Sequence, residues 1–143
     1  MYLLDTNVVS ELRKARAGRA DPNVMQWAQK IPPPALFISA ITVLELELGV
    51  LLLERRDAGQ GGVLRSWLER HVLTAFEERV LGVDTAVARR CAALHVPDPR
   101  GERDALIAAT ALVHGMTVIT RNTADFEAMG VALYNPWEAE REP

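Results

Sequence analysis

Apolar residues Tyr2, Leu3 and Leu4 run without a break into Asp5, Thr6 and Asn7. So short an apolar run, bounded by polar residues, predicts a buried strand. Residues 7–14, with Glu11 and Leu12 among them, read as the helix that follows. The turn-rich GRADPN (18–23) leads through Asp21-Pro22 into a second helix carrying Val24, Met25, Trp27 and Ala28. IPPPA (31–35) breaks that helix, and LFIS (36–39) has the length and composition of a second strand. Ser39 is a natural N-cap for SAITVLELELGVLLLERRDAG, which stays apolar over too many turns for a strand and predicts a largely buried helix. GQGG (59–62) is expected to stop it.

Residues 63–78 place Val63, Leu64, Trp67, Leu68, Val72 and Leu73 at helical spacing. RVLGVD (79–84) reads as a short extended connector. Asp84-Thr85 then caps a helix with Val87, Ala88, Cys91, Ala92 and His95. VPDPRG (96–101) is a loop, and ERDALIAATALVHG (102–115) is a helix closed by Gly115 at C′. MTVIT (116–120) is a β-branched strand. The polar RNTADF leads to a short helix and a last strand near VALYN (131–135). Strands separated by helices imply an α/β fold, with a central parallel sheet of four to five strands and helices on both faces. No repeat, low-complexity stretch or long linker divides the chain, so residues 1–143 read as one domain.

Composition narrows this picture only slightly. Apolar residues make up 49% and charged residues 24%, as in an ordinary globular protein. No apolar stretch approaches the roughly 18 residues of a membrane span. The N-terminus lacks a signal-peptide pattern, and Cys91 is the only cysteine, which excludes an internal disulfide. Both features fit a cytoplasmic protein. The net charge of -3 argues against a basic nucleic-acid-coating protein, but it is compatible with a nuclease whose acids are gathered in one site. The bases are mostly arginine, which suits bidentate phosphate contacts.

The chemistry lies in the acids. Ligands of an open parallel sheet bind beyond the carboxyl ends of its strands. Asp5 stands at the end of the first strand, and Arg121, Asn122 and Asp125 follow the end of the TVIT strand. Asp104 lies in the first turn of a helix entering the same end. Glu45 shares a helix face with Ile41, Leu44 and Leu48, where a lone buried glutamate is costly and raised in pKa. Glu47 and Glu54 line up as a solvated stripe on another face. Local explanations also exist: Asp5 can cap the first helix, Asp104 can meet a helix dipole, and Asp125 can cap FEAMG. One cause covers all four positions, namely hard oxygen ligands around Mg²⁺ or Mn²⁺, an arrangement suited to phosphodiester cleavage. Cys91 and His95, four apart, lack the further ligands of a zinc site. P-loop and G-x-S-x-G motifs are absent. Trp27, Trp67 and Phe76 sit at core spacing and read as packing.

LLDTNVVSE, SAITVLELELG, RDALIAATALVHGMTVITRNTADF and NPWE, in this order and spacing, resemble PIN-domain ribonucleases, above all the VapC and FitB-like toxins of bacterial toxin–antitoxin systems. The resemblance spans Met1 to about Glu138. It implies a PIN-like fold and Mg²⁺- or Mn²⁺-dependent endonucleolytic cleavage of RNA. It also implies that Asp5, Glu45, Asp104 and Asp125 are the catalytic, metal-holding acids. Asn122 competes with Asp125 for the fourth position. Thr6, Asn7 and Thr120 are the polar residues expected to hold the acids, and Arg103 and Arg121 are candidate RNA contacts. A homodimer is implied, together with a small cognate antitoxin that blocks the pocket and carries any DNA contact. Two rivals remain from the residues. A haloacid-dehalogenase-like phosphatase also places Asp after its first strand, although it needs a second Asp where this chain has Asn7. A non-catalytic module of the same fold would tend to lose acids that this chain keeps.

Overall fold

The computed structural model describes residues 1–138, so the last five positions of the predicted 1–143 unit lie outside the described residues. Strand β1 (Tyr2–Leu4) leads into α1 (Thr6–Arg13) and a 3₁₀ turn at Lys14–Ala17. Helix α2 (Pro22–Lys30) starts at Asp21, whose side chain accepts from the Asn23 and Val24 amides. Strand β2 (Leu36–Ser39) feeds α3 (Ala40–Arg56), capped by the Ser39 hydroxyl at the Thr42 amide. Helix α4 (Ala58–Trp67) widens into a π-helical turn at Leu68–Val72 and ends in the single turn α5 (Leu73–Ala75). Strand β3 (Val80–Leu81), α6 (Thr85–Leu94), α7 (Glu102–His114), β4 (Thr117–Ile119) and β5 (Leu133–Tyr134) complete the described chain.

The sheet has five strands in the order β3-β2-β1-β4-β5, all paired in parallel. After β1 the chain first builds outward through β2 and β3, then returns to add β4 and β5 on the other side. The order therefore switches between β1 and β4, where parallel sheets open a crevice at their carboxyl ends. Successive side chains alternate between two cores, as strand geometry requires. Leu3 and Val118 face α6 and α7, whereas Leu4, Ile38 and Ile119 face α1, α2, α3 and α4. No helix among the described residues is long and apolar enough to cross a membrane.

Two expected elements and one expected surface stripe differ from the sequence reading. GQGG does not stop a helix; it lies inside α4, and the break falls at Asp57, whose side chain caps α4 at the Gln60 amide. The glycines there serve packing. A Cβ on Gly61 would fall 2.4 Å from the Glu54 Cα, so α4 can lie against α3 only because residue 61 has no side chain. The Glu47 and Glu54 stripe is likewise not simply solvated, because both carboxylates hold the Arg65 guanidinium of α4. The short helix expected at FEAMG is instead two single 3₁₀ turns, Thr123–Asp125 and Glu127–Met129. We expect Gly61→Ala to cost about 1–3 kcal/mol through overpacking. A urea midpoint read at constant m-value checks this, and an unchanged midpoint would mean the two helices part freely.

Candidate active site

Asp5 follows β1 and is 6% exposed. Its backbone amide donates to Ile119 O at 2.9 Å, which continues the β1–β4 pairing and fixes where the carboxylate emerges. Both of its oxygens are engaged. Oδ1 accepts from the Thr6 amide at 2.8 Å. Oδ2 accepts from the Thr120 hydroxyl at 2.8 Å and from Asn7 Nδ2 at 3.2 Å. The cap and the site are thus the same residue. Burial pushes the Asp5 carboxyl above its ordinary value; the Thr120 and Thr6 hydrogen bonds oppose this, Glu45 adds to it, and Asn7 opposes it.

The supporting side chains form one network. Thr120, buried just past β4, also accepts from the Asn122 amide at 3.0 Å and from Asn7 Nδ2 at 3.3 Å. Asn7 Oδ1 accepts from the Arg121 amide at 3.2 Å. The β1 and β4 loops are thereby tied together through side chains that sequence reading had matched to supporting roles. We expect Thr120→Val to cost about 1–3 kcal/mol, because buried donors and an acceptor lose their partner. It should also raise the Asp5 carboxyl further and so move the acid limb of any pH–activity profile upward. An unshifted limb would remove Thr120 from this role.

A polar cavity of about 300 Å³ opens in front of Asp5, lined by Asp5, Thr6, Asn7, Ser10, Glu45, Asp104 and Asn122. Three carboxylates and no cation line it. The Thr6 hydroxyl donates to Glu45 Oε1 at 2.8 Å and lies 3.2 Å from the Thr42 hydroxyl. Glu45 is not enclosed by apolar neighbours as its helix face suggested. Its side chain is 28% exposed, and Leu44 and Leu48 are themselves exposed at 46% and 37%, so Glu45 stands at the rim of the cavity rather than in a core. Arg103 Nη1 approaches Glu45 Oε2 only to 3.8 Å from the exposed side. Asp104 sits in the first turn of α7, where the helix end favours negative charge. Its carboxyl is nevertheless raised, by burial first and then by Asp5, Asp125 and Glu45.

Asp125 is within electrostatic reach of Asp104 but does not line the cavity; it lies exposed in a 3₁₀ turn and caps nothing. Asn122 does line it. Arg121 places its guanidinium over the Trp137 ring, 5.3 Å from the centroid, rather than in the cavity. Sequence reading missed Ser10 and Thr42. Ser10 is one helical turn beyond Thr6, a spacing that puts both on one face, so it was recoverable. Thr42 is buried behind Glu45 with nothing in its local pattern to mark it. Cys91 and His95 behave as packing: the sulfur lies 3.8 Å from the ring, whose Nδ1 accepts from the Arg100 amide.

A scan for known families matches the PIN domain over residues 2–131. The chain belongs to the PIN-domain family. Among PIN-domain relatives, VapC ribonuclease Y4jK of Sinorhizobium fredii is 40% identical over 146 residues, covering 96% of this chain and 99% of the relative. Toxin FitB of Neisseria gonorrhoeae is 41% identical over 145 residues, covering 96% and 99%. Among solved structures, FitAB bound to an IR36 DNA fragment superposes with a TM-score of 0.88 at 36% identity, covering 100% of both chains. The five-stranded PIN-domain sheet thus carries its acids at the switch point between β1 and β4.

The chemistry of the donors bears on a metal. Every charged group lining the cavity is a carboxylate, a hard oxygen donor, and Asp104 is held in a field of like charge that a cation would relieve. Among the described residues, however, no three His, Cys, Asp or Glu side chains stand close enough together to grip an ion directly. That spacing suits Mg²⁺, which keeps several of its waters and is ordinarily held by one or two carboxylates.

Proposed function

We propose that this PIN-domain chain is a Mg²⁺- or Mn²⁺-dependent endoribonuclease and the toxin of a toxin–antitoxin pair. The observation that carries the reading is the buried Asp5 carboxylate, locked by Thr6, Asn7 and Thr120 and facing Asp104 and Glu45 across a polar cavity with no lining cation. The names of full-length relatives, a VapC ribonuclease and a FitB toxin, point the same way. Asp5 and Asp104 would hold the cation directly, with Glu45 and Asp125 acting through water and Asn122 as a neutral donor. When bound, the cation supplies acidification of a water and neutralisation of phosphate charge.

The chain's own groups do the rest. The donors on Asp5 fix which lone pairs face the cavity. Thr6 ties the Glu45 carboxylate to the start of α1, so the two acids keep their separation. Arg103, at the rim beside Glu45, is placed to meet a phosphate; Arg121, stacked on Trp137, meets RNA only outside the cavity. Asn7 occupies the position where a phosphatase of the haloacid-dehalogenase kind would need its second aspartate, and here it donates to Asp5. The partner is a small antitoxin protein that covers the pocket, with DNA reached only through it, and the chain works as a homodimer in the cytoplasm. A similar structure, FitAB bound to a DNA fragment, supports the partner and the DNA contact.

The test is cleavage of RNA by partner-free protein with Mg²⁺, Mn²⁺ or EDTA. Metal-dependent internal cuts are expected. Equal cleavage in EDTA, or hydrolysis of small phosphate monoesters instead of RNA, would overturn the reading.

A further inference from the structure

The acid cavity does not end at Ser10. A second cavity of about 320 Å³ adjoins it, sharing Thr6, Ser10 and Glu45, and adds Arg13, Lys14, Gly49 and Trp67 to its walls. A third, of about 340 Å³, shares Arg13 and Trp67 and adds Arg16 and His71. Together they form one groove along α1, with α3 and α4 as the opposite wall. Thr6, Ser10 and Arg13 lie at helical spacing on the groove side of α1, so the wall changes from polar to basic within two turns.

Two features of this groove are not explained by the fold. First, of its cations only Lys14 is ion-paired among the described residues, to Glu11 at 2.9 Å. Arg13 lies over the Trp67 ring at 5.7 Å from the centroid, and Arg16 meets the His71 ring. Neither has a carboxylate partner among the described residues, in a chain whose net charge is -3. Second, Gly49 sits inside α3, where glycine weakens a helix relative to alanine. A Cβ there would meet nothing within 4 Å, so neither close packing nor a positive φ calls for glycine at this position. What its missing side chain does is widen the groove.

We propose that this groove seats the single-stranded RNA that flanks the scissile phosphate. Arg13 and Arg16 contact its backbone, Trp67 and the Arg13 guanidinium offer it a flat face, and Gly49 admits it close to α3. The inference rests on the ribonuclease reading: a strand with one phosphate at Asp5 must leave the acid cavity somewhere, and the groove is an open continuation whose charge is opposite to the strand's. Arginine–phosphate contact and base–aromatic stacking are the two interactions by which proteins hold single strands without reading sequence.

The test uses a fluorescein-labelled, unstructured 12-nucleotide RNA of adenine and uridine, bound to partner-free protein in EDTA at several salt concentrations. The Arg13→Gln/Arg16→Gln double variant should bind at least tenfold more weakly at low salt. Each lost phosphate contact should also flatten the log–log salt slope by about 0.7, or about 1.4 for the pair. Gly49→Leu, which changes no charge, should weaken binding with the slope kept. In cleavage assays both losses should fall on KM more than on kcat, with melting curves as cooperative as the parent's. Wild-type protein that fails to bind the probe at low salt overturns the groove. So do variants that bind it as the parent does with the same slope, and so do variants that lose only the complex with the antitoxin, which would assign the groove to that protein. Binding without metal-dependent cleavage counts against the ribonuclease reading alone and leaves the groove standing.

Discussion

Asp104→Asn is expected to melt at a higher temperature than the parent protein in EDTA and to lose RNA cleavage by at least about 10²-fold, on the scale of removing one essential polar group from a reaction site. Both effects have one origin. Among the described residues Asp104 makes no side-chain hydrogen bond that the substitution would break, while its charge is opposed by burial and by Asp5, Asp125 and Glu45. Asparagine keeps the shape and removes the repulsion. Some favourable interaction with the α7 dipole is lost, but Glu102 remains in that first turn. The sign follows from linkage. A carboxyl raised in the folded state binds its proton more tightly there than in the unfolded chain. Its contribution to stability is fully present below the ordinary value of 3.8 and is lost as pH rises through the raised folded value. The metal-free parent should therefore lose part of its stability over that interval, and Asp104→Asn should lose less. Thermal melts of both proteins across that interval check this. A variant that melts lower than the parent at neutral pH would mean Asp104 is a structural charge.

Millimolar Mg²⁺ or Mn²⁺ should raise the melting temperature of the parent by several degrees and move Asp104→Asn little. A ligand at ten times its dissociation constant stabilises by about 1.4 kcal/mol, and at a hundred times by about 2.7 kcal/mol. Either is large enough to read in a melt. The gain should grow as pH rises, because the ligands must be deprotonated to bind. That is opposite in sign to the pH dependence of the metal-free protein, so the two curves should diverge toward neutral pH. Curves that stay parallel would mean the acids hold no cation.

The fold was readable wherever one period dominated. The short runs at 2–4, 36–39 and 116–120 match β1, β2 and β4 with little adjustment, because a parallel strand buried on both faces reads as a near-continuous apolar or β-branched run. Glycine misled. GQGG carries the composition of a stop, but a helix tolerates glycine when a neighbour occupies the space, and Glu54 of α3 does so at Gly61. That contact joins two helices and leaves no trace in the local pattern. The same limit applies at Glu45. Helical spacing placed it beside Leu44 and Leu48, but it could not say that those leucines face solvent. Asp5 stands out in the sequence because a carboxylate ending an apolar run needs a reason. Spacing does not separate Asn122 from Asp125, because it cannot say which side of a loop turns inward. The structure turns Asn122 to the cavity and leaves Asp125 outside it, within reach of Asp104's charge. The basic groove was hidden for a similar reason: Arg13 and Arg16 belong to α1 and its extension, whereas Trp67 and His71 come from the far end of α4 and the turn after it.

Whether the Asp5 and Asp104 carboxylates share one divalent cation is tested at one atom by diffraction at the manganese absorption edge from crystals of the partner-free protein soaked in Mn²⁺. The expected result is a single strong anomalous peak in the cavity, about 2.0–2.3 Å from an oxygen of each carboxylate and bounded elsewhere by water. No peak there, or a peak held by other residues while Asp5 keeps only its bonds to Thr6, Asn7 and Thr120, would contradict it.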